Sequence, residues 1–361
     1  MKKNLIVTIY DECNYGNRLQ NYAVYKGLSK YKDSVSGRVY VIKNWYKYFI
    51  KKAVSYIVYR LRIFVNIYGY KKRGYLFWIF SQNNIPTTLM NFIDNEEKMS
   101  RRFDLVFYGS DQIWNPEFGP ENCIVPKTPK EKNIALCASI GADHIPKDQI
   151  KKYKEGLSRF SHISVREDKA ADIVEELTGN RPVVLIDPTL SLDMAEWEKI
   201  ECRPYYKSKK YWNNKKYIFL YFLGELSEAR KSQIKELAEK HNADIVDATK
   251  GDICDYIGPA EFIWLIHNSM MVITDSYHGS IFSFIFDKAF YVLDREDTEI
   301  KMSMNSRFDT LFRKLDLYDR KNNNILEYIC EHDYSRSYML LESERKKYFD
   351  YIENVIQDIG A

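Results

Sequence analysis

The chain contains 361 residues, enough for about two domains of ordinary size. Its hydrophobic share of 45% and charged share of 29% exclude a disordered chain, a collagen-like repeat and a polytopic membrane protein. The formal net charge of +4 is unevenly distributed. The segment from Ser34 to Ile93 contains ten Lys and Arg and no Asp or Glu, so the other residues sum to −6 (4 minus 10).

The six cysteines are scattered, and none forms a C-x-x-C pair or a Cys/His spacing typical of zinc. This usage predicts reduced thiols and an intracellular location. No stretch reaches 18 apolar residues, and the short apolar run near the N-terminus does not resemble a signal peptide. We therefore expect a cytoplasmic protein without a transmembrane helix and without a bound metal.

The first half of the chain alternates predicted strands and helices. Leu5–Tyr10 is an apolar strand, Asp11–Asn17 is rich in turn residues, and a helical pattern begins near Arg18. This strand–loop–helix unit is typical of an open α/β sheet, which binds ligands beyond its strand ends. Further strands are predicted at Val39–Ile42, Phe103–Tyr108, Asn133–Ser139, His162–Val165 and Val183–Ile186, with an amphipathic helix at Asp168–Thr178.

The second half repeats this alternation after a charged connector at 198–216. Strands are predicted at Tyr217–Leu223, Asp244–Val246, Met270–Thr274 and Phe290–Leu293, and helices at 228–241, Pro259–His267, from Ser280, after Ser306 and at Glu342–Ile359. The pattern predicts two doubly wound α/β domains facing a cleft. We place them at residues 1–197 and 198–335, followed by a C-terminal helix at 336–361.

Two polar turns carry the strongest candidate chemistry. The strand ending at Thr274 is followed by Asp275–Gly279, which places His278 beside a predicted helix start, where N–H groups and the helix dipole favour an anion. Asp111 follows the strand that ends at Tyr108, where a carboxylate can act as acid or base. Each also has a structural interpretation, since His278 can cap local backbone and Asp111 can cap the next turn.

Two arginines are candidate anion ligands because guanidinium groups bind carboxylate and phosphate through paired hydrogen bonds. Arg166 ends the strand at His162–Val165, and Arg307 precedes an amphipathic helix. Taken alone, either residue is also compatible with a surface salt bridge.

Residues 43–80, here called the basic-aromatic segment, combine nine cations with thirteen aromatic residues and long aliphatic side chains. A cationic amphipathic helix with interfacial Trp and Tyr is typical of proteins that lie on an anionic bilayer. The segment predicts peripheral membrane contact, and the alternative is that its apolar residues pack on the body while its cations face solvent.

A set of short motifs in a fixed order resembles the polysaccharide pyruvyl transferase family and spans roughly residues 5–320. The matching motifs are Asn14-Tyr15-Gly16-Asn17, Tyr108-Gly109-Ser110-Asp111-Gln112-Ile113-Trp114, Ser164-Val165-Arg166-Glu167, Asp187-Pro188-Thr189, Gly258-Pro259-Ala260-Glu261-Phe262, Thr274-Asp275-Ser276-Tyr277-His278-Gly279 and Asn305-Ser306-Arg307. No single motif is decisive, but the combination is specific.

The resemblance implies a GT-B-like architecture with two Rossmann-type domains. It also implies an enzyme that transfers pyruvyl from phosphoenolpyruvate to two hydroxyls of a sugar, forms a cyclic ketal and releases phosphate. We expect the acceptor to be a surface-polysaccharide precursor, such as a capsule or exopolysaccharide unit, carried on a lipid at the inner face of the plasma membrane. Phosphoenolpyruvate is then a co-substrate, and no cofactor is expected.

The resemblance implies that the donor lies near the turn of His278 and at Arg166, and the chemistry of ketal formation leads to the other expectations. His278 and Asp111 are the expected catalytic pair, as acid or phosphate contact and as base. We expect the donor to be bound by Arg166, Arg307, Ser276, Gly279 and Ser280, and the acceptor by Asn14, Gly16, Asn17 and Trp114. Many family members have arginine where this chain has Ser276, so we expect Arg307 to replace that guanidinium.

Two other functions remain open from the sequence. A GT-B glycosyltransferase with a nucleotide-sugar donor needs a carboxylate for the ribose, and Glu261 is the one candidate. A non-catalytic assembly partner at the membrane is the other. A nucleic-acid-binding protein is disfavoured, because the chain outside the basic-aromatic segment is acidic.

Overall fold

A computed structural model of the protein describes residues 3–9, 13–40, 72–91, 101–119, 121–206, 209–213, 215–295 and 306–360. These residues form a mixed α/β structure with two separate parallel sheets. One sheet lies on each side of the predicted domain boundary after residue 197, and the boundary itself stays a prediction. The prediction of two doubly wound α/β domains is confirmed.

The first sheet has seven parallel strands in the order β3-β2-β1-β4-β5-β6-β7. They are β1 (Lys3–Val7), β2 (Ser34–Tyr40), β3 (Thr87–Asn91), β4 (Phe103–Tyr108), β5 (Asn133–Ala138), β6 (His162–Val165) and β7 (Val183–Val184). The strand order reverses between β1 and β4, and ligands of open α/β sheets bind at such a switch point, beyond the carboxyl ends of the strands.

The second sheet has four parallel strands in the order β11-β10-β8-β9. They are β8 (Tyr217–Tyr221), β9 (Asp244–Asp247), β10 (Met271–Thr274) and β11 (Ala289–Val292). Both central strands are fully buried, as expected for a parallel sheet covered on its two faces. The switch point lies between β8 and β10, so the turn that carries His278 is at the same kind of edge as Asp111.

Most of the helices lie between successive parallel strands, and the last two follow the final strand. Those of the first half are α1 (Tyr15–Ser29), α2 (Lys72–Asn84), α3 (Glu121–Ile124), α4 (Ile150–Leu157), α5 (Asp168–Thr178) and α6 (Met194–Glu198). Those of the second half are α7 (Lys209–Trp212), α8 (Glu228–Lys240), α9 (Pro259–His267), α10 (Tyr277–Ile285), α11 (Ser306–Leu315) and α12 (Ser335–Gly360).

The two domains share one hydrophobic core, which includes side chains from both sheets. Tyr15 of α1 stacks on Phe262 of α9 with a centroid distance of 4.4 Å, and its edge meets Tyr221 of β8 at 5.4 Å. The Tyr15 hydroxyl donates to the carbonyl of Ile257 at 3.2 Å. The start of α1 is therefore held against the second domain.

The last helix, α12, contacts both domains. Near its start the Tyr338 hydroxyl donates to the carbonyl of Phe284 at 3.0 Å, and further along Arg345 donates to the carbonyls of Leu190 and Leu192 at 2.8 and 2.7 Å. Near its end the Tyr351 hydroxyl lies 3.4 Å from the carbonyl of Ala135. The helix begins seven residues before the predicted Glu342.

Several predicted boundaries differ from the structure. β2 begins at Ser34 rather than Val39, and β3 was not predicted. α2 overlaps the end of the basic-aromatic segment, for which the sequence favours a cationic amphipathic helix without stated bounds. In α2, Phe77 and Phe80 are 2% and 3% exposed, so this part of the basic-aromatic segment packs on the body. Residues 43–71 of the segment lie outside the described residues, and membrane contact through them stays a prediction. Within the part of the chain that is described, no helix is long and apolar enough to cross a bilayer.

Candidate active site

The candidate site lies where α1 and the turn after β4 meet, at the switch point of the first sheet. Asn14 caps α1, since its side-chain oxygen accepts from the amide of Asn17 at 3.1 Å. Asp111 follows β4 with a φ of 68°, in the left-handed region. Residues other than glycine rarely adopt this backbone, and such positions cluster at functional turns. The turn directs the Asp111 carboxylate toward α1.

Asp111 is bound from two sides. The side-chain amide of Asn17 donates to its Oδ2 at 3.3 Å, and Nη2 of Arg166 donates to its Oδ1 at 3.2 Å. Asn17 and Arg166 follow β1 and β6, on the two sides of β4. Three strand ends of the first sheet therefore converge on one buried carboxylate.

Arg166 is completely buried and joins Asp111 to a second carboxylate. Its Nη1 donates to Oδ2 of Asp187 at 2.6 Å, and its Nε lies 3.8 Å from Oε2 of Glu167. The other oxygen of Glu167 accepts from the Ser139 hydroxyl at 2.9 Å and from the amides of Ile140 and Gly141. The surface salt bridge that the sequence left open for Arg166 is therefore excluded, because its side chain has no exposed area.

His278 is brought to this cluster from the second domain. Its Nε2 lies 3.6 Å from Oδ2 of Asp187, an ion-pair distance. On the other side of the ring, a β-carbon on Gly16 would lie 2.0 Å from Nδ1. Only glycine at position 16 lets the start of α1 approach the imidazole this closely. Because Gly16 belongs to the first domain and His278 to the second, the cluster includes residues of both domains.

Arg307 completes the cluster from α11. Its guanidinium carbon lies 5.4 Å from the ring centroid of Tyr277, and that of Arg166 lies 4.9 Å from the same ring. Arg307 is 7% exposed, and its Nε is buried without a hydrogen-bond partner among the described residues. No carboxylate within the described ranges forms an ion pair with it. A buried cation in this state is suited to an anionic ligand.

The electrostatics follow from this packing. Burial alone would raise the pKa of Asp111, but Arg166, His278 and Arg307 outweigh it and hold the pKa below its usual value. Burial opposes the ionised form of Asp187 too, yet the neighbouring His278 and Arg166 hold its pKa well below the usual range. Burial and the adjacent Arg166 lower the pKa of Arg307 to about 10, so it stays a cation at neutral pH.

The remaining predicted donor residues form the start of α10. The Ser276 hydroxyl accepts from the amide of Gly279 at 3.3 Å, which makes Ser276 the helix cap and starts the helix at Tyr277 rather than at Ser280. The Ser280 hydroxyl donates to the carbonyl of Tyr277 at 2.8 Å. Both hydroxyls therefore hold the helix start, and their contact with a donor stays a prediction.

Trp114 lies away from the cluster. It is 1% exposed, its indole N–H donates to the carbonyl of Cys123 at 2.9 Å, and its ring meets Phe160 edge-on in the core of the first domain. We therefore do not include it in the proposal below, although the sequence assigned it to the acceptor.

Three cluster residues were not among the predicted site residues: Asp187, Glu167 and Tyr277. Each stands in a motif of the resemblance, and Asp187 and Glu167 follow strands of the first sheet. This position after a strand end is the feature of the sequence that indicates a site residue. No group of three or more metal-binding side chains is arranged around a metal position in the described part of the chain.

A sequence model of the polysaccharide pyruvyl transferase family matches residues 14–297, which is most of the chain and includes every residue of the cluster except Arg307. The chain belongs to this family. The protein is therefore an enzyme of polysaccharide pyruvylation. No curated protein sequence matches the chain.

Solved structures share the fold at low identity. UDP-N-acetylglucosamine 2-epimerase from Rickettsia bellii aligns with a TM-score of 0.51 and 11% identity over 99% of this chain and 96% of that chain. S. aureus MnaA with UDP aligns with a TM-score of 0.47 and 12% identity over 99% and 98%. The likeness to the Rickettsia bellii enzyme shows the fold alone, and the predicted GT-B-like class of this pyruvyl transferase is confirmed.

The close approach of Gly16 to His278 gives a direct test of the cluster. In Gly16→Ala the new methyl group must displace the imidazole, so we expect pyruvyl transfer to fall at least about tenfold while the fold is retained. Gly27→Ala on the same helix is the control, because its β-carbon would lie 3.4 Å from the Tyr348 hydroxyl, an ordinary contact. Transfer rate and Tm of both variants are measured, and an unchanged rate in Gly16→Ala would contradict the placement of His278.

Proposed function

We propose that the protein transfers the pyruvyl group of phosphoenolpyruvate to two hydroxyls of a sugar on a lipid-linked polysaccharide precursor, forming a cyclic ketal and releasing phosphate. The observation that carries the choice of donor is Arg307, a buried cation whose Nε has no partner among the described residues. It lies beside Tyr277, the first residue of α10. An anion placed there meets both a guanidinium and the N–H groups of a helix start.

Phosphoenolpyruvate suits this position because it has two anionic groups close together. A carboxylate and a phosphate need two cationic or N–H-rich partners, which Arg307 and the start of α10 supply. Arg166 already binds Asp111 and Asp187 at 3.2 and 2.6 Å, so its main contribution is to hold those carboxylates. Arg307 thus takes the place of the guanidinium that many family members have at position 276.

The chemistry needs an acid and a base, and the cluster has one from each domain. His278 protonates the methylene carbon or contacts the phosphate, and Asp111 accepts a proton from the attacking hydroxyl. The low pKa of Asp111 in the free protein makes it a weak base. Binding of an anionic donor among the same cations opposes their effect and raises that pKa, which strengthens the base when the donor is present.

The acceptor would then approach Asp111 from the side of α1, where Asn14 is exposed and Asn17 contacts the carboxylate. A lipid-linked precursor would bring the protein to the inner membrane face, in line with the basic-aromatic segment. The proposal needs neither a cofactor nor a metal, since protonation and phosphate departure are acid–base steps.

The nucleotide-sugar alternative has less support from the geometry. Oε2 of Glu261, its candidate ribose ligand, accepts from the amide of Gly258 at 3.0 Å and closes the first turn of α9. At the switch point of the second sheet, the amides of Leu223 and Gly224 donate to the Asp275 carboxylate at 2.7 and 2.8 Å. Amides that a diphosphate would use are therefore occupied by the protein's own anion.

The test supplies the protein with lipid-linked oligosaccharide and either phosphoenolpyruvate or UDP-sugars. We expect phosphate release with phosphoenolpyruvate and a product about 70 Da heavier by mass spectrometry, because the pyruvyl group replaces two hydroxyl protons. His278→Gln is the inactive control. Release of UDP without release of phosphate would contradict the proposal, and pathway product made equally by the control would favour a non-catalytic role.

A further inference from the structure

Asp187 is placed to act on the reaction without touching a substrate. Its side chain has no exposed area, so substrate cannot reach it. Its Oδ1 accepts from the amide and the hydroxyl of Thr189 at 3.0 and 2.7 Å, which fixes the carboxylate within its own turn. The other oxygen, Oδ2, faces Arg166 and His278. Any effect of Asp187 on catalysis must therefore pass through these two residues.

The two nitrogens of the His278 ring have different surroundings. Nε2 is buried, lies 3.6 Å from Oδ2 of Asp187 and has no hydrogen-bond partner in the described part of the protein. Nδ1 lies beside Gly16 at the start of α1, the residue before Asn17, whose side chain contacts Asp111. A neutral imidazole carries its hydrogen on one nitrogen only, and an adjacent carboxylate stabilises the form with the hydrogen on its own side.

We propose that Asp187 is a positioning residue that keeps the ring hydrogen of His278 on Nε2, so that Nδ1 is the nitrogen that exchanges a proton with the substrate. The nature of that substrate rests on the proposed function. The state of the ring does not, because it follows from the contacts of His278 alone.

The proton balance closes with this assignment. Nδ1–H of the imidazolium gives its proton to the methylene carbon of phosphoenolpyruvate, and the π electrons of the donor form the new C–H bond. The donor's C2 then bonds to the first hydroxyl oxygen, whose proton goes to Asp111. The ring is left neutral with its hydrogen on Nε2, opposite Asp187. As the C2–O bond to phosphate breaks, the second hydroxyl attacks C2 and returns a proton to Nδ1, while the proton on Asp111 leaves with phosphate.

The contacts distinguish this role from simple pairing of Asp187 with Arg166. One carboxylate oxygen serves both the arginine and the histidine, and the latter belongs to the other domain. The low pKa of Asp187 keeps it ionised at neutral pH, as a carboxylate that orients an imidazole must be. If Asp187 served only to pair with Arg166, its Oδ2 would not need to lie 3.6 Å from Nε2 of His278.

The tautomer is measured by nitrogen NMR on the full-length protein labelled with ¹⁵N-histidine. The chain has six histidines, and His278→Gln identifies the signal of interest. At a pH where the ring is neutral, we expect the wild-type signal to show hydrogen on Nε2 and none on Nδ1. A wild-type ring with its hydrogen on Nδ1 would overturn the proposal, and this measurement does not depend on activity.

Asp187→Asn supplies the second readout, because the amide keeps the shape but loses the charge. We expect the hydrogen to redistribute between the two nitrogens and kcat to fall about 100-fold or more, with a smaller change in the KM of the donor. The matched control is Thr189→Val, which removes the hydroxyl bound to Oδ1 but keeps the charge, and it should retain the wild-type tautomer. An unchanged tautomer in Asp187→Asn would also contradict the proposal. Absence of activity with phosphoenolpyruvate in the wild type would instead count against the proposed function.

Discussion

Replacement of Arg166 by methionine is expected to lower the free energy of unfolding by about 3–5 kcal/mol, because it leaves two buried carboxylates without their shared cation. Asp111 and Asp187 bind the two ends of this guanidinium at 3.2 and 2.6 Å. Methionine fills much of the same space, so the loss of charge dominates the effect. Denaturant unfolding at pH 8 measures it.

The loss of unfolding free energy in Arg166→Met should depend on pH. In the wild type, both carboxyl groups have pKa values below the usual ~3.9, so their contribution is present above that value and is lost as pH falls through the lower folded-state pKa. Without Arg166 their folded-state pKa values rise, and protonation then relieves the buried charge. We therefore expect the difference in free energy of unfolding between the wild type and Arg166→Met to be smaller at pH 5 than at pH 8.

Arg181→Met is the matched control for this effect. Arg181 also binds two carboxylates, Asp172 and Glu175, at 2.8 and 2.7 Å, but all three side chains are about half exposed. Exposed pairs contribute about 0–1 kcal/mol. Equal losses in the Arg166 and Arg181 variants would contradict the burial described for Arg166.

Replacement of Arg307 by methionine is expected to affect donor binding rather than stability. The KM for phosphoenolpyruvate should rise about 10- to 100-fold, which corresponds to the loss of one or two charged hydrogen bonds to the donor. Stability should change little, because removal of a buried cation is favourable, while Asp111 loses the pKa-lowering effect of Arg307 but stays bound to Arg166. Steady-state kinetics and Tm of the same preparation measure the two effects.

Arg313→Met, on the same helix, is the control for Arg307. Arg313 forms a largely exposed pair with Asp168 at 2.8 Å, so its replacement should leave the KM for the donor unchanged. A wild-type KM in Arg307→Met would remove the main support for the donor position. A large loss of stability in that variant would show that Arg307 has a structural partner.

The sequence predicted most strands because their apolar runs end in polar turns. Phe103–Tyr108 and His162–Val165 were placed to the residue, since both are short, β-rich and followed by Gly or Arg. The sequence predicts the start of α10 three residues too late, because Gly279 resembles a helix entry. Ser276 was the correct signal, since serine is a favoured helix cap.

The contacts within the site were less accessible from the sequence. Arg166 bonds to residues 55 and 21 positions away, and only the sheet order brings those strand ends together. The burial of Trp114 is also not evident from the sequence. Trp114 stands in a motif beside Asp111, yet its ring lies in the core. Arg166 is paired with carboxylates, whereas Arg307 has no ion-pair partner among the described residues, and this difference depends on three-dimensional packing that residue type alone does not specify.

The helix α12 limits how far the two domains can move apart. Its 26 residues form a rod about 39 Å long that is fastened to the second domain through Tyr338 and to the first through Tyr351. A rod of constant length fixes the separation of its two attachment points, so the domains cannot move apart along it.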